Sequence, residues 1–271
     1  MSETLVMCSP EGFAVNYEIN PWMQHQIGHV SSSDAIDQWL MLHEKLATFA
    51  RIWTMPANQA WPDLVFTANA GLPLPGLKTI ILSNFRHPQR QGETSINQAW
   101  FKSQGWTCIE LPATTIFEGA GDALFDSEGC LWLGAGPRSN EMTLESLAQH
   151  LSTPIYALTL VDPRYYHLDT CFCPLPGSYA LYLPDSFDQP SRNLLAHHFG
   201  SQLIALTPEE GEDFCANAVC LERVITMNKA SPRLKSLLEH LDFQVQETQW
   251  TEFMKSGGSA KCLTLSLGEL L

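Results

Sequence analysis

Cys262 follows a pair of glycines, Gly257 and Gly258, and opens an alternating run, Cys262-Leu263-Thr264-Leu265-Ser266-Leu267. Glycines let the backbone turn with φ > 0 and leave room for a ligand, and the alternation reads as a strand. A thiol in such a place is a candidate nucleophile once another group lowers its pKa. Groups able to do so lie far away in sequence. His167 and Asp169 sit in Tyr166-His167-Leu168-Asp169-Thr170, and Glu118 and Asp122 in Phe117-Glu118-Gly119-Ala120-Gly121-Asp122. Asn69 (in Phe66-Thr67-Ala68-Asn69-Ala70-Gly71) and Asn217 (in Cys215-Ala216-Asn217) are further polar residues in otherwise apolar stretches. An imidazolium can depress a thiol pKa by several units from about 8.5, and a carboxylate can orient the imidazole. Taken singly, each has a plain structural reading: a buried thiol, a satisfied core histidine, a turn cap, an exposed loop. Taken jointly, at comparable places in a repeat, they read as a Cys/His/carboxylate catalytic set.

The elements that must position them recur along the chain. A first helix is expected over residues 34–51, after a serine cluster that can cap it, with Ile36, Trp39, Leu40, Leu46, Phe49 and Ala50 on one face. Shorter helices are expected near 95–103, 143–151, 192–199 and 232–241, the last with Ser231 as N-cap and Pro232 in its first turn. After each helix comes a short apolar strand, at 52–56, 108–112, 156–160, 203–208 and 245–249. A second strand follows each loop, at 79–83, 130–133, 180–183, 224–227 and 262–267. The period of roughly forty to fifty-five residues is that of a repeat architecture. The first strand, Leu5-Val6-Met7-Cys8, has no helix before it and could pair beside the last, closing a ring that leaves fewer exposed edges. The expectation is an α/β propeller of five blades, a single domain over residues 1–271. In such a ring, equivalent loops converge on one axial pocket. A doubly wound sheet is the alternative, and no glycine-rich phosphate loop follows the first strand to support it.

Composition narrows the function. The 271-residue chain is 45% apolar, which suits a folded core, and its formal charge of −14 argues against nucleic acid or an anionic membrane as partner. No run of eighteen apolar residues predicts a membrane helix. The opening Met1-Ser2-Glu3-Thr4 lacks the basic start of a secretion signal, and the eight cysteines read as cytoplasmic thiols. Cys171-Phe172-Cys173 has neither a second pair nor a histidine at zinc-site spacing, so no metal is expected.

At these residues the chain resembles the guanidino-group-modifying enzymes, the pentein superfamily. That group includes arginine deiminase, dimethylarginine dimethylaminohydrolase, glycine amidinotransferase and arginine dihydrolase. The resemblance runs over essentially the whole chain. The Phe117–Asp122 stretch looks like the family's Glu-Gly-Gly-Asp loop, with Ala120 in place of one glycine. His167-Leu168-Asp169 matches the His-Leu-Asp motif, and Gly257-Gly258 with Cys262 matches the nucleophile segment. The resemblance implies a five-bladed α/β propeller, the pentein fold, in agreement with the repeat. It implies that Cys262 attacks a guanidinium carbon to give an S-alkylthiouronium intermediate. His167 would act as acid to the leaving nitrogen and then as base for water. Glu118 would orient His167 and, with Asp169, hold the planar cation, whose paired N–H groups match carboxylate oxygens. Asp122 would order the loop beside the substrate. No metal or organic cofactor is implied.

Within the family, Asp63 in Pro62-Asp63-Leu64-Val65-Phe66 looks like part of the segment that meets the substrate's amino acid end. Deiminases usually carry an aspartate where Asn69 stands. Asn69, with Asn20 in Tyr17-Glu18-Ile19-Asn20-Pro21-Trp22-Met23, is similar to the arginine dihydrolase branch, whose enzymes release two ammonia molecules and leave ornithine. Arg90 and Arg138 match the family's carboxylate-binding positions, which points to a free amino acid, while Arg86 reads as a solvated charge. The expected function is a cofactor-free, cytoplasmic hydrolase acting on a small guanidino substrate, arginine or a methylarginine, with arginine to ornithine, ammonia and carbon dioxide as the leading reaction. Deimination, demethylamination and amidino transfer are alternatives at the same site. A sensor of cationic amino acids is the non-enzymatic rival, and it would have no need of the nucleophile. A cysteine protease would want its thiol at a helix N-terminus, which the strand reading of Cys262 disfavours.

Overall fold

The computed structural model describes residues 3–268; Met1 and Ser2, part of the stretch read for a secretion signal, and residues 269–271 lie outside it. Five three-stranded sheets share one plan. An inner strand turns back antiparallel onto a middle strand, and a helix then carries the chain across to an outer strand parallel to the middle one. The helix is obligatory, because two parallel neighbours need a crossover connection. The first complete sheet is Gly71–Pro73, Thr79–Leu82 and Thr107–Ile109, with helix Glu93–Ser103 between the last two. Ala123–Phe125, Leu131–Ala135 and Ile155–Thr159 repeat it, as do Phe172–Leu175, Tyr179–Tyr182 and Leu203–Ala205, and then Val219–Leu221, Val224–Met227 and Gln244–Glu247. The fifth sheet uses both ends of the chain. Thr4–Cys8 pairs parallel with Arg51–Met55 and antiparallel with Leu265–Ser266, Leu5 facing Ser266. The five sheets form an α/β propeller, and the first strand completes the last blade as expected.

Burial explains the sequence pattern. Middle strands are covered on both faces, so Leu5–Cys8 and Ile80–Leu82 are unbroken apolar runs; the outer Arg51–Met55 and Gln244–Glu247 are partly exposed and mix polar with apolar residues. Helix starts are set by side-chain caps. Ser31 accepts from the Asp34 N–H, Asp188 from Ser191 and Ser231 from Leu234, the last with Pro232 at the helix start. Helices Ser32–Ala47 and Gln189–Phe199 therefore begin earlier than their apolar periodicity suggests.

Two expectations change. Four of the five inner strands have no counterpart among the expected elements, because each is only three or four residues long and shows no periodicity. The strand expected over 262–267 shrinks to Leu265–Ser266, and Cys262 sits in a turn. The Leu263 N–H reaches the Ser259 carbonyl at 3.3 Å and that of Thr264 reaches Lys261 at 3.0 Å, so the backbone is wound there. Thr264, between the buried Leu263 and Leu265, is itself only 1% exposed, so the alternation does not separate a buried face from an exposed one.

Candidate active site

Each inner strand is preceded by a short turn, and the five turns are tied into a closed circle. Asn69 Nδ2 donates to the Glu118 carbonyl at 2.8 Å, and the Leu168 N–H donates to Asp122 Oδ1 at 3.1 Å. Asn217 Nδ2 donates to the Asp169 carbonyl at 2.9 Å, and the Cys262 N–H donates to Asn217 Oδ1 at 3.2 Å. The Ala68 N–H donates to the Cys262 carbonyl at 3.2 Å and closes the ring. Glu118 and His167 both stand five residues ahead of their inner strands, which start at Ala123 and Phe172; Asn69 and Asn217 stand two ahead of Gly71 and Val219. Equivalent register is what gathers residues from different blades.

His167 Nε2 lies 2.7 Å from Glu118 Oε2, which also accepts from Arg138 at 3.0 Å. The other oxygen, Oε1, takes the Arg86 backbone N–H at 3.1 Å; the Arg86 side chain is exposed, but its Nε donates to the Arg138 carbonyl at 3.0 Å, so Arg86 helps to build the site rather than serving only as a solvated charge. Burial opposes charge on Glu118, yet Arg138 and His167 hold its carboxyl well below the usual carboxylate range. Burial outweighs Glu118 at His167 and lowers that imidazole to about 4, so the resting ring is neutral at pH 7.

The thiol has different neighbours from those expected. Cys262 Sγ lies 3.4 Å from Asp169 Oδ2 and accepts from Asn217 Nδ2 at 3.1 Å; among the described residues His167 is not one of its hydrogen-bond partners. Burial first, and the Asp169 charge second, push the thiol well above its ordinary value rather than below it. Burial likewise raises Asp169 to about 7, with Lys261 opposing. The resting site is a neutral thiol beside a half-protonated carboxyl, a pair that an arriving cation would ionise. Gly257 and Gly258 shape the turn ahead of it. Gly257 has φ +80°, and a Cβ on Gly258 would come within 2.5 Å of the Phe66 ring.

The proposed substrate-binding residues divide. Asn69 spends one donor on Glu118 and one lone pair on Arg90 Nη1 at 3.0 Å, leaving one of each. Arg138 also donates to the Ile19 carbonyl and packs over the Tyr166 ring, 4.4 Å from its centroid, which leaves Nε without a protein partner among the described residues. Arg90 was expected to take a carboxylate from the substrate. Its guanidinium grips Glu93 through Nε and Nη2 at 2.8 and 2.7 Å, and also donates to the Asp63 carbonyl and, through Nη1, to Asn69. Burial raises Glu93 to about 7 against the pull of Arg90. Asn20 is likewise occupied: its Oδ1 caps the turn Pro21–Met23 and its Nδ2 donates to the Ser256 carbonyl. Asp63 accepts from Tyr17 at 2.9 Å and Ser256 at 3.2 Å. Asp122 accepts from Ser139 at 2.6 Å, tying its loop to that of Leu168. These contacts draw residues 17–23 across the site, where Glu118, His167, Asp169 and Cys262 are at most 3% exposed.

One trio among the described residues, Asp126, Cys130 and His198, has donor atoms within 4.8 Å of one another. The Asp126 carboxylate already accepts from two backbone N–H groups, from Trp132 and from His198, which accounts for the cluster as a turn clasp. All eight cysteines are free thiols, and no described helix is long and apolar enough to cross a membrane.

Comparison with known proteins agrees with this geometry. The bifunctional arginine dihydrolase/ornithine cyclodeaminase ArgZ of Synechocystis is 44% identical over 98% of this chain, which spans only 38% of that relative's length. A dimethylarginine dimethylaminohydrolase of Mycobacterium tuberculosis is 32% identical over 96% of this chain and 84% of its own. A crystal structure of the N-terminal domain of ArgZ, an asparagine-to-serine variant covalently bonded to a reaction intermediate, superposes with a TM-score of 0.96 at 43% identity, covering 98% of both chains. The family model described as N,N dimethylarginine dimethylhydrolase, eukaryotic, matches residues 10–268, and the chain belongs to that family within the guanidino-group-modifying enzymes.

Proposed function

We propose that this chain hydrolyses free arginine to ornithine, carbon dioxide and two molecules of ammonia. The observation that carries the reading is the pairing of Cys262 Sγ with Asp169, beside a neutral His167 bonded to Glu118. A guanidinium entering between these groups supplies the positive charge that burial denies the thiolate. Its N–H groups lie against the carboxylates, and the Cys262 proton passes to the neutral His167, from which it reaches the leaving nitrogen in the next step. The thiolate attacks the guanidinium carbon. The C–N bond to one terminal nitrogen breaks, and that nitrogen leaves as ammonia with a proton supplied through His167. Water, deprotonated by His167, then displaces the sulfur and leaves a neutral ureido group. A second attack on that carbon releases the second ammonia, and hydrolysis of the remaining carbamoyl group yields ornithine and carbon dioxide, two waters being consumed overall.

Asn69 favours the second round. Its remaining acceptor and donor complement a neutral ureido group, which has a carbonyl as well as N–H groups, whereas an aspartate would present acceptors alone. Arg138, whose Nε is left without a protein partner among the described residues, and Arg90 are the arginines for the amino acid carboxylate, each also paired with a buried glutamate. The reading makes the propeller one catalytic unit and places it in the cytoplasm, where its thiols stay reduced. Demethylamination of methylarginines is the second reading, favoured by the family description and the mycobacterial relative. Incubation with arginine and product analysis decides between them. Ornithine with two equivalents of ammonia supports the dihydrolase, citrulline accumulating alone sinks it, and turnover of methylarginine with silence on arginine moves the assignment to the second reading.

A further inference from the structure

Asn217 sits among the five converging turns, yet the sequence gives it no role beyond its place in the repeat. Its side chain is fully buried and uses all four of its hydrogen-bonding capacities. Oδ1 accepts from the backbone N–H groups of Ser259 at 3.0 Å and Cys262 at 3.2 Å. Nδ2 donates to the Asp169 carbonyl at 2.9 Å and to Cys262 Sγ at 3.1 Å. The amide orientation is therefore decided by its surroundings. A flipped amide would set its NH2 against two N–H donors and its oxygen against a carbonyl and the sulfur. The turn carrying it is also held under strain: Phe214, three residues earlier, has φ +55°, is fully buried, and packs on Trp22 with ring centroids 4.7 Å apart. A bulky residue in that region persists only where the surroundings over-determine it.

We propose that Asn217 is a catalytic residue that stabilises the Cys262 thiolate, both when the thiol ionises for attack and when the sulfur is expelled. The inference rests on Cys262 being the nucleophile. A carboxylate on the thiol's other side can only disfavour its anion, so a neutral donor has a specific task there. An N–H···S hydrogen bond strengthens as the sulfur gains charge and demands no counter-charge that a cationic substrate would have to displace. Gripping both the backbone N–H and the Sγ of one residue also fixes the direction in which the sulfur points. If the proposed reaction runs two rounds of attack and expulsion, the same donor serves each of them.

The test compares the parent with Asn217→Asp and Asn217→Ala. The aspartate can still accept from Ser259 and Cys262 but loses both donors, to sulfur and to the Asp169 carbonyl, and adds a charge beside the thiol; the alanine adds no charge, so slower Cys262 alkylation in both variants marks the lost donor rather than the added charge. The primary readout needs no substrate. Iodoacetamide alkylation of the Cys262 peptide is followed by mass spectrometry across pH, with the part-exposed Cys108 and Cys220 as internal references. Cys262 alkylation is expected to slow about tenfold or more at a fixed pH near 8, with its pH profile displaced upward while the reference thiols are unchanged. In turnover, kcat is expected to fall ten- to a hundredfold with KM nearly constant. A folded variant that alkylates and turns over within twofold of the parent overturns the proposal. Faster alkylation of Cys262 also overturns it, since that is the mark of a turn merely loosened. Should the parent be inert on arginine, the substrate reading fails while the alkylation comparison still decides the role of Asn217.

Discussion

Cys262 Sγ stands 3.4 Å from Asp169 Oδ2, and burial holds both groups toward their neutral forms. In the proposed reaction Cys262 is thus quiet until a cation reaches it. Under the proposed reaction the thiolate forms only when the substrate is in place.

A proton should therefore be released on substrate binding. Asp169 is raised to about 7 in the free enzyme, and the cation favours its ionised form. Below pH 7 binding must expel that proton, so arginine affinity should fall with decreasing pH, approaching tenfold per unit, and level off above 7. Cys262→Ser, which should abolish turnover while keeping binding, allows the measurement by calorimetry in buffers of different ionisation enthalpy. Asp169→Asn should flatten the profile; an unchanged slope in that variant would assign the proton to another group.

The proposed reaction gives Asn69 control over the number of rounds, which a substitution tests. Asn69→Asp should retain the first hydrolysis and impair the second, so citrulline accumulates and ammonia falls from two equivalents toward one. Product chromatography reads both quantities. An unaltered ratio would leave Asn69 with only its structural bonds to Glu118 and Arg90.

Glu118 and Arg138 form a buried pair joined to His167. Glu118→Gln leaves the Arg138 cation without its counter-charge, at a cost of about 3–5 kcal/mol, which lowers Tm by roughly 10 °C in a chain of this size. Adding Arg138→Met should recover a good part of that stability without restoring activity, because His167 is still deprived of its carboxylate. Thermal unfolding of the two variants tests the coupling, and a single variant as stable as the parent would refute it.

Much of this molecule is set by its chemistry along the chain. Apolar runs such as Ile80–Leu82 and Val224–Met227 specify middle strands because both their faces are covered, and caps such as Ser231 with Pro232 specify helix starts. The recurrence of those units was enough for a closed ring of five blades, and the motifs at Glu118, His167 and Cys262 were enough for the family. What the chain alone could not state is who touches whom. Hydrogen-bond partners 45 and 93 residues away in sequence, Asn217 and Asp169, surround the thiol, and the imidazole faces Glu118 instead. Arg90, read by position as a carboxylate clamp, also pairs with Glu93 three residues on, and Asn20 also caps the turn that follows it. Partner choice depends on which blade edge each turn meets and which groups burial leaves without water. Sequence fixes a residue's type and its place in a repeat; only the closed ring decides its neighbours and, through desolvation, its charge.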